Sequence, residues 1–402
     1  MKHPYQIVIV NKAGTHLFTS VKNTIQVFEL KSGGKIGEWV DDISPDQITH
    51  QNSQISKKKG EPIISQPIYN HIRSLILTEN EDYLVGTTDS DKSTIIFHID
   101  FAADNCLTLS KRQVLSKRPC AISIDAETKN VIVADKFGDV YAVPIDSEEP
   151  VPEKQLSPVL GHVSMLSDVL MTTYKGKQFI ITSDRDEHIR ISNYPKSYVV
   201  KDWLFGHREF VSDLYISEHD TSVLISGGGD DFICLWHWFD NRLLTKIELR
   251  DLIQEYLHDG HLPPSRFLTE DSKKEISVAK IASVKTDSSY LLIVLVENTR
   301  CLLVFAINEQ DFSVKHIQTI TIDDSIVDFS IDQTNKRILT SVDTEASYKL
   351  LQAFNYDTKV NQFVSDSSVF QNIVDANPIE VESKSDFQQL YYINTLRKRS
   401  EH

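Results

Sequence analysis

The sequence predicts an all-β fold, a seven-bladed β-propeller with two polar insertions and a C-terminal tail, and three observations lead there. From Ile7 onward the chain reads as short apolar-alternating segments broken by turn residues, and helical periodicity is scarce. If the end of each third strand is marked by its large or interrupted position, the anchors are Phe28, Phe97, Val143, Ser192, Trp236, Phe305 and Phe354, at spacings of 69, 46, 49, 44, 69 and 49. Four of these spacings lie near the forty-odd residues of a propeller blade. The two of 69 each contain a polar excursion, roughly 41–65 and 251–274. The propeller is therefore expected over 1–364 and the tail over 365–402.

The first insertion holds Gln, Ser and the run Lys57-Lys58-Lys59-Gly60, and reads as a solvated polar loop on the rim. The second holds His258, His261 and Pro263-Pro264; within it Asp251 to Leu257 has the spacing of one short amphipathic surface helix. After Val364 the chain is polar and irregular until Leu390-Tyr-Tyr-Ile-Asn-Thr-Leu-Arg-Lys-Arg399, whose apolar stretch is expected to fold back onto the propeller.

Bulk composition narrows the function. Of 402 residues, 40% are hydrophobic and 25% charged, enough apolar side chain for a packed core. A net charge of −15 argues against a free-standing nucleic-acid binder, because that affinity comes mostly from basic side chains neutralising phosphates. The four cysteines, Cys106, Cys120, Cys234 and Cys301, are far apart with no CxxC pair, so neither zinc nor a disulfide framework is indicated and a reducing compartment is expected. Met-Lys-His-Pro is followed by no apolar h-region, and the longest apolar run, Tyr290 to Val296, is too short for a membrane helix. A soluble intracellular protein is expected.

One hairpin, 181–192, concentrates charge: Asp184, Arg185, Asp186, Glu187 and His188 turn between apolar Ile181 and Ile189. A turn needs one or two special residues, so five ionisable ones exceed folding requirements and suit a charged partner. Gly161-His162 is followed after 23 residues by Asp186, and Gly206-His207 after 22 by Asp230, with Trp236 beyond. That is the WD-repeat pattern, in which His, a strand Ser or Thr, a turn Asp and a strand Trp share one hydrogen-bonded network. The fullest set is His207, Ser226, Asp230 and Trp236; the preceding blade offers His162, Thr182 and Asp186 with Ser192 in place of Trp. Strand alternation sets Arg190 opposite Ile189 and Ile191, so Arg190 is expected to project from the blade. Gly227-Gly228-Gly229 lacks the Lys-Ser/Thr of a phosphate loop.

Several strings in one order carry a more specific resemblance: Asp89-Ser-Asp-Lys-Ser93, Ser116-Lys-Arg-Pro119, Ala134-Asp-Lys-Phe-Gly-Asp-Val140, Gly161-His-Val-Ser-Met-Leu166, Ser183-Asp-Arg-Asp-Glu-His-Ile189, Trp203-Leu-Phe-Gly-His207 and Gly228-Gly-Asp-Asp231. Together they resemble the WD-repeat non-catalytic subunit of the eukaryotic, fungal-type tRNA (guanine-N(7)-)-methyltransferase, strongly from about Pro67 to Trp236 and loosely elsewhere. The first insertion departs from the fungal pattern in being short and only modestly basic. The resemblance implies a nuclear heterodimer in which a separate Rossmann-type subunit binds S-adenosylmethionine and forms N(7)-methylguanosine in the tRNA variable loop. This chain would bind and stabilise that subunit, with Arg190 as the docking residue flanked by Arg185, Glu187 and His188. No catalytic, cofactor-binding or metal-ligating residue is expected on the chain itself, which has no strand–Gly-rich turn–helix unit for a methyl donor. Lys117, Arg118, Arg397 and Lys398 are the expected tRNA phosphate contacts if the partner brings tRNA close. Two other readings compete: a WD-repeat scaffold of another intracellular complex, and a propeller enzyme, which would need a ring of acidic or His side chains on the inner strands, and no such ring is read from the sequence.

Overall fold

In the computed structural model, seven four-stranded antiparallel sheets follow one another along the chain. They span 7–40, 72–114, 119–161, 166–204, 211–248, 278–321 and 325–365. The structure describes residues 1–43, 70–147, 149–217, 220–286, 290–344, 350–366, 368–373, 379–384, 387 and 390–399. Most of the first insertion, with Lys57-Lys58-Lys59-Gly60, lies outside the described residues. All seven anchor residues fall in the third strand of a blade, from Phe28 in Thr24–Glu29 to Phe354 in Leu351–Asp357.

Blades pack face to face, so their middle strands are apolar on both sides. Tyr290–Val296, the longest apolar run, is such a strand and is buried at every position. Its side chains pack alternately toward the fifth blade, with Ile233 and Leu235, and toward the seventh, with Phe329 and Ile338. Outer strands read differently: Arg242–Glu248 carries Arg, Thr, Lys and Glu and is buried only at Ile247, as a rim strand with one wet face should be.

Among the described residues each blade is contiguous in sequence and no strand is shared to lock the ring, so first and last blades meet through hydrogen bonds and packing. Val8 N donates to Asp328 Oδ2 (2.8 Å) and Val10 N to Ser330 Oγ (3.0 Å), joining first and last blades. Outside them, Lys2 bridges Glu380, and Tyr5 packs in one cluster with Phe370 and Ile373. The second insertion differs from the expected surface helix. Only Arg250–Ile253 is α-helical, continuing as a 3-10 turn over Gln254–Tyr256. Its apolar side is buried, with Leu249, Ile253 and Leu257 in the core between blades five and six. His261 is buried, within 3.0 Å of Glu297 O through Nε2, and serves that packing.

Candidate partner-docking face

One end of the propeller carries the turns between second and third strands, the connections between blades, and the returning tail. In the fifth blade His207 Nδ1 lies 2.8 Å from Asp230 Oδ2 and Nε2 lies 2.7 Å from Ser226 Oγ, which accepts Trp236 Nε1–H at 2.9 Å. All four side chains are buried. A proton on Nδ1 satisfies the whole chain of bonds.

The fourth blade departs from expectation at two positions. His162 contacts Thr182 Oγ1 through Nε2 (2.8 Å), but its carboxylate partner is Asp184 (3.0 Å), not Asp186. Asp184 closes the strand Lys177–Asp184 and its Oδ1 also accepts the N–H groups of Asp186 and His188, so it caps the turn from inside. Burial pushes the Asp184 carboxyl up, but the His162 bond and these N–H groups prevail and hold it below the usual range. Asp186 instead faces out, accepting from Ser164 Oγ (2.7 Å) and pairing with Lys398 Nζ (2.5 Å).

Arg190 does not project. It is 8% exposed; Nη1 donates to Gly161 O (2.8 Å) and Nε to Ser192 Oγ (3.1 Å), and its guanidinium lies 5.7 Å from the Trp203 ring centre. The physical reason is the missing tryptophan. In the fifth blade the tip of Trp236 lies against Gly206, and a Cβ there would meet the indole at 2.6 Å. With Ser192 in the fourth blade, Arg190 reaches the equivalent Gly161 instead. Lys246 Nζ makes the corresponding bond to Gly206 O at 2.7 Å.

Arg185 is likewise engaged: Nε donates to Leu396 O at 2.7 Å. Of the charged turn, Glu187 is exposed at φ 67° with no ion pair among the described residues, and His188 is half-exposed beside Trp203 and Phe205. Phe205 (68% exposed), Phe137 (67%) and Val163 (fully exposed) border the same end and went unnoticed in the sequence because single surface apolar residues are common.

The tail folds back as expected and crosses this end. Ile393 N and Asn394 N donate to the two carboxylate oxygens of Glu297 (2.6 and 2.9 Å), and Tyr391 OH donates to Asp343 (3.1 Å). Arg397, 11% exposed at its side chain, donates to Gly229 O (2.7 Å) and Ile276 O (2.9 Å) and pairs with Glu209 (3.1 Å). Arg399 grips Glu275 with two bonds of 2.8 and 2.7 Å. Arg397 is therefore spent within the chain, Lys398 pairs with Asp186 while remaining exposed, and Lys117 and Arg118 lie at the blade-three edge of the same face, Arg118 with its Nε 3.4 Å from Asp89.

Beneath the tail runs the central channel, a cavity of about 360 Å³ bordered by Asp168, Asp213, Asp328 and Lys280 and capped by Tyr391 and Leu396. Three of the seven inner strands thus present an aspartate to the channel, and the sixth presents Lys280 at the matching position, which is short of the acidic ring a propeller enzyme would need. Each carboxylate sits just after a β-bulge in its blade's first strand, at Leu166/Asp168, Val211/Asp213 and Ile326/Asp328. Each accepts a backbone N–H of the next blade: Leu214, Ile281 and Val8, at 2.8, 2.7 and 2.8 Å. These three carboxylates stitch blades together, and among the described residues no cluster of His, Cys, Asp or Glu is arranged to hold a metal ion. Burial pushes Cys106 up to about 11 and Cys234 and Cys301 up to about 12, so these thiols are not nucleophiles at neutral pH. Among the described residues no helix is long and apolar enough to cross a membrane.

Comparison with known proteins agrees with this architecture. A family model described as the tRNA methyltransferase TRM82 WD40 domain matches residues 43–158 and 146–365. A protein of Debaryomyces hansenii named tRNA (guanine-N(7)-)-methyltransferase non-catalytic subunit TRM82 is 50% identical over 447 aligned positions, covering 100% of both chains. Proteins of that name from Meyerozyma guilliermondii and Saccharomyces cerevisiae S288c are 47% and 35% identical, covering 100% of this chain and 100% and 99% of theirs. Among solved structures, U3-55K superposes with a TM-score of 0.59 at 12% identity over 92% of this chain and 93% of its own. A chain of the mitotic checkpoint complex does so at 0.59 and 10% identity, covering 85% and 87%; these two likenesses concern the fold alone.

Proposed function

Because the chain belongs to the family of WD-repeat non-catalytic subunits of tRNA (guanine-N(7)-)-methyltransferase, we propose that it binds and stabilises a Rossmann-type catalytic subunit in a heterodimer, supporting N(7)-methylguanosine formation in the tRNA variable loop. S-adenosylmethionine is bound by that partner, and the complex works in the nucleus. Full-length similarity to proteins named as this subunit is the observation that carries the reading. The tail-bearing end supports it by offering a docking surface: Glu187 supplies a carboxylate unpaired among the described residues, His188 a half-exposed ring held 3.4 Å from Asp184 Oδ2, and Phe205 and Val163 supply apolar area to bury. Arg190 and Arg185 act behind that surface. The first ties its strand to Gly161 and the second ties the turn to the tail, so both hold Glu187 and His188 in place.

Purification of the tagged chain from its own cells, with mass spectrometry of whatever is present at one-to-one stoichiometry, tests the reading. A methyltransferase-fold partner that is lost in a Glu187→Lys, Phe205→Ala variant with an unchanged melt is the expected result. A different stoichiometric partner would place the chain in another complex and overturn it.

A further inference from the structure

The chain is acidic overall, yet the edge of the tail-bearing face between blades two and three is not. Arg73 Nε and Arg118 Nε share one carboxylate, Asp89, at 2.5 and 3.4 Å. Lys136 stands on the next turn, its N–H bonded to Arg118 O at 3.0 Å. Lys117 lies with Nζ 4.3 Å from the ring centre of exposed Phe137. Three cations, Arg73, Arg118 and Lys136, thus gather about one anion, and Lys117 stands beside them. Asp91 offers no relief, since it and Asp41 are both engaged by Arg112. Arg73 is 13% exposed at its side chain and lies 5.3 Å from the ring centre of Tyr392 in the tail, so it stands behind the others. Among the described residues, the Nη groups of Arg118 make no hydrogen bond and the ammonium of Lys136 makes no hydrogen bond or ion pair. Burial, with the guanidinia of Arg118 and Arg73 beside it, holds the Lys136 ammonium below its ordinary pKa, so its surroundings repel further positive charge.

Unspent guanidinium and ammonium donors beside a solvent-facing aromatic ring are what a nucleic-acid backbone with an unstacked base requires: the cations take phosphate oxygens and the ring takes the base. We propose that Lys117, Arg118 and Lys136 form a phosphate-binding basin for RNA, with Arg73 behind them holding Asp89 and Phe137 as the stacking platform. This rests on the function proposed above and extends it, because the non-catalytic chain would then hold part of the tRNA directly. An acidic peptide would satisfy the cations but would leave the flat exposed face of Phe137 without a planar partner.

The experiment uses the assembled complex and an unmodified tRNA transcript, with affinity measured by titration across a series of salt concentrations. Lys117 and Lys136 reach the surface and form no ion pair with a blade carboxylate among the described residues, so Lys117→Ala/Lys136→Ala should leave the fold and the complex intact. The expected result is roughly ten-fold weaker tRNA binding near physiological salt and a log–log salt slope shallower by about two, one unit for each phosphate no longer neutralised. Phe137→Ala should weaken binding with the slope unchanged, since stacking releases no counterions. Unchanged affinity and slope in the double variant would overturn the basin. So would normal tRNA binding with weakened assembly, which would assign the patch to an acidic protein surface. Failure of the parental chain to form a complex at all would instead count against the function proposed above.

Discussion

Arg397→Ala is expected to release the tail and lower stability by about 3 kcal/mol. Arg397 is nearly enclosed, gives hydrogen bonds to Gly229 O and Ile276 O, and faces Glu209 and Glu275. Truncation strands two buried carbonyls and removes the counter-charge of the half-exposed Glu209, and each buried acceptor left without its donor costs about 1–3 kcal/mol. The carboxylates add little to this, because Glu209 is open to water and Glu275 retains Arg399 and Asn394. The lesion should be local first: hydrogen exchange at the Ile393 and Asn394 amides, now bonded to Glu297, should accelerate before the propeller melts. Lysine should rescue poorly, since one ammonium cannot reach two carbonyls and two carboxylates in the guanidinium's fork geometry. Unchanged melting and unchanged amide protection in Arg397→Ala would show that the tail is held by its apolar residues alone.

Asp213→Asn is expected to stabilise the propeller at pH 8 and to do so less as the pH falls. Burial pushes the Asp213 carboxyl up to about 7, opposed by the Ile281 N–H and Lys280 and reinforced by Asp328. Asp168 beside it is raised as well, by burial and then by the Asp213 charge. Between the unfolded value of about 3.9 and about 7 the folded chain holds a proton that the unfolded chain has lost, so stability falls as pH rises through this window. Asparagine still accepts the Ile281 N–H and carries no charge at any pH. The expected gain is on the order of 2 kcal/mol at pH 8, less than the isolated shift would give because Asp168 shares the repulsion, and it should vanish near pH 4. Melting curves of both proteins from pH 4 to 8 measure it. A variant less stable than its parent at pH 8 would mean that the carboxylate is worth more as a charged acceptor than its burial costs.

The fold was legible because it is repetitive. Strand alternation and the spacing of the seven anchors reflect the same physical unit, a sheet that can bury its faces only against its neighbours. The site was legible in part. The motif located His207, Ser226, Asp230 and Trp236, where every member is the usual residue. It misplaced the carboxylate of the fourth blade, because alignment on strand position points to Asp186 whereas the chain supplies Asp184 from the strand's end. Arg190 was misread for a related reason: alternation says which side of the sheet a residue leaves, but not whether a neighbouring position has left a hole there, and Ser192 had left one. The aspartates of the channel did have a signal. Leu166-Ser-Asp-Val169, Val211-Ser-Asp-Leu214 and Ile326-Val-Asp-Phe329 repeat one pattern, with Val278-Ala-Lys-Ile281 as its basic variant. What hid them was the bulge, which lets a polar residue face the channel within an otherwise apolar inner strand. The basin around Lys136 had only the weaker signal of Lys117-Arg118, since Arg73 and Lys136 join it from elsewhere in the chain.

Methyl transfer from purified components tests the central claim most directly. The catalytic partner alone, this chain alone and the two together would each be given an unmodified tRNA transcript and labelled S-adenosylmethionine, and N(7)-methylguanosine would be counted by nucleoside analysis. The account predicts no product from this chain alone, little from the partner alone, and full turnover from the pair with the modification in the variable loop. Product from this chain alone, or a partner equally active and equally long-lived without it, would contradict the account.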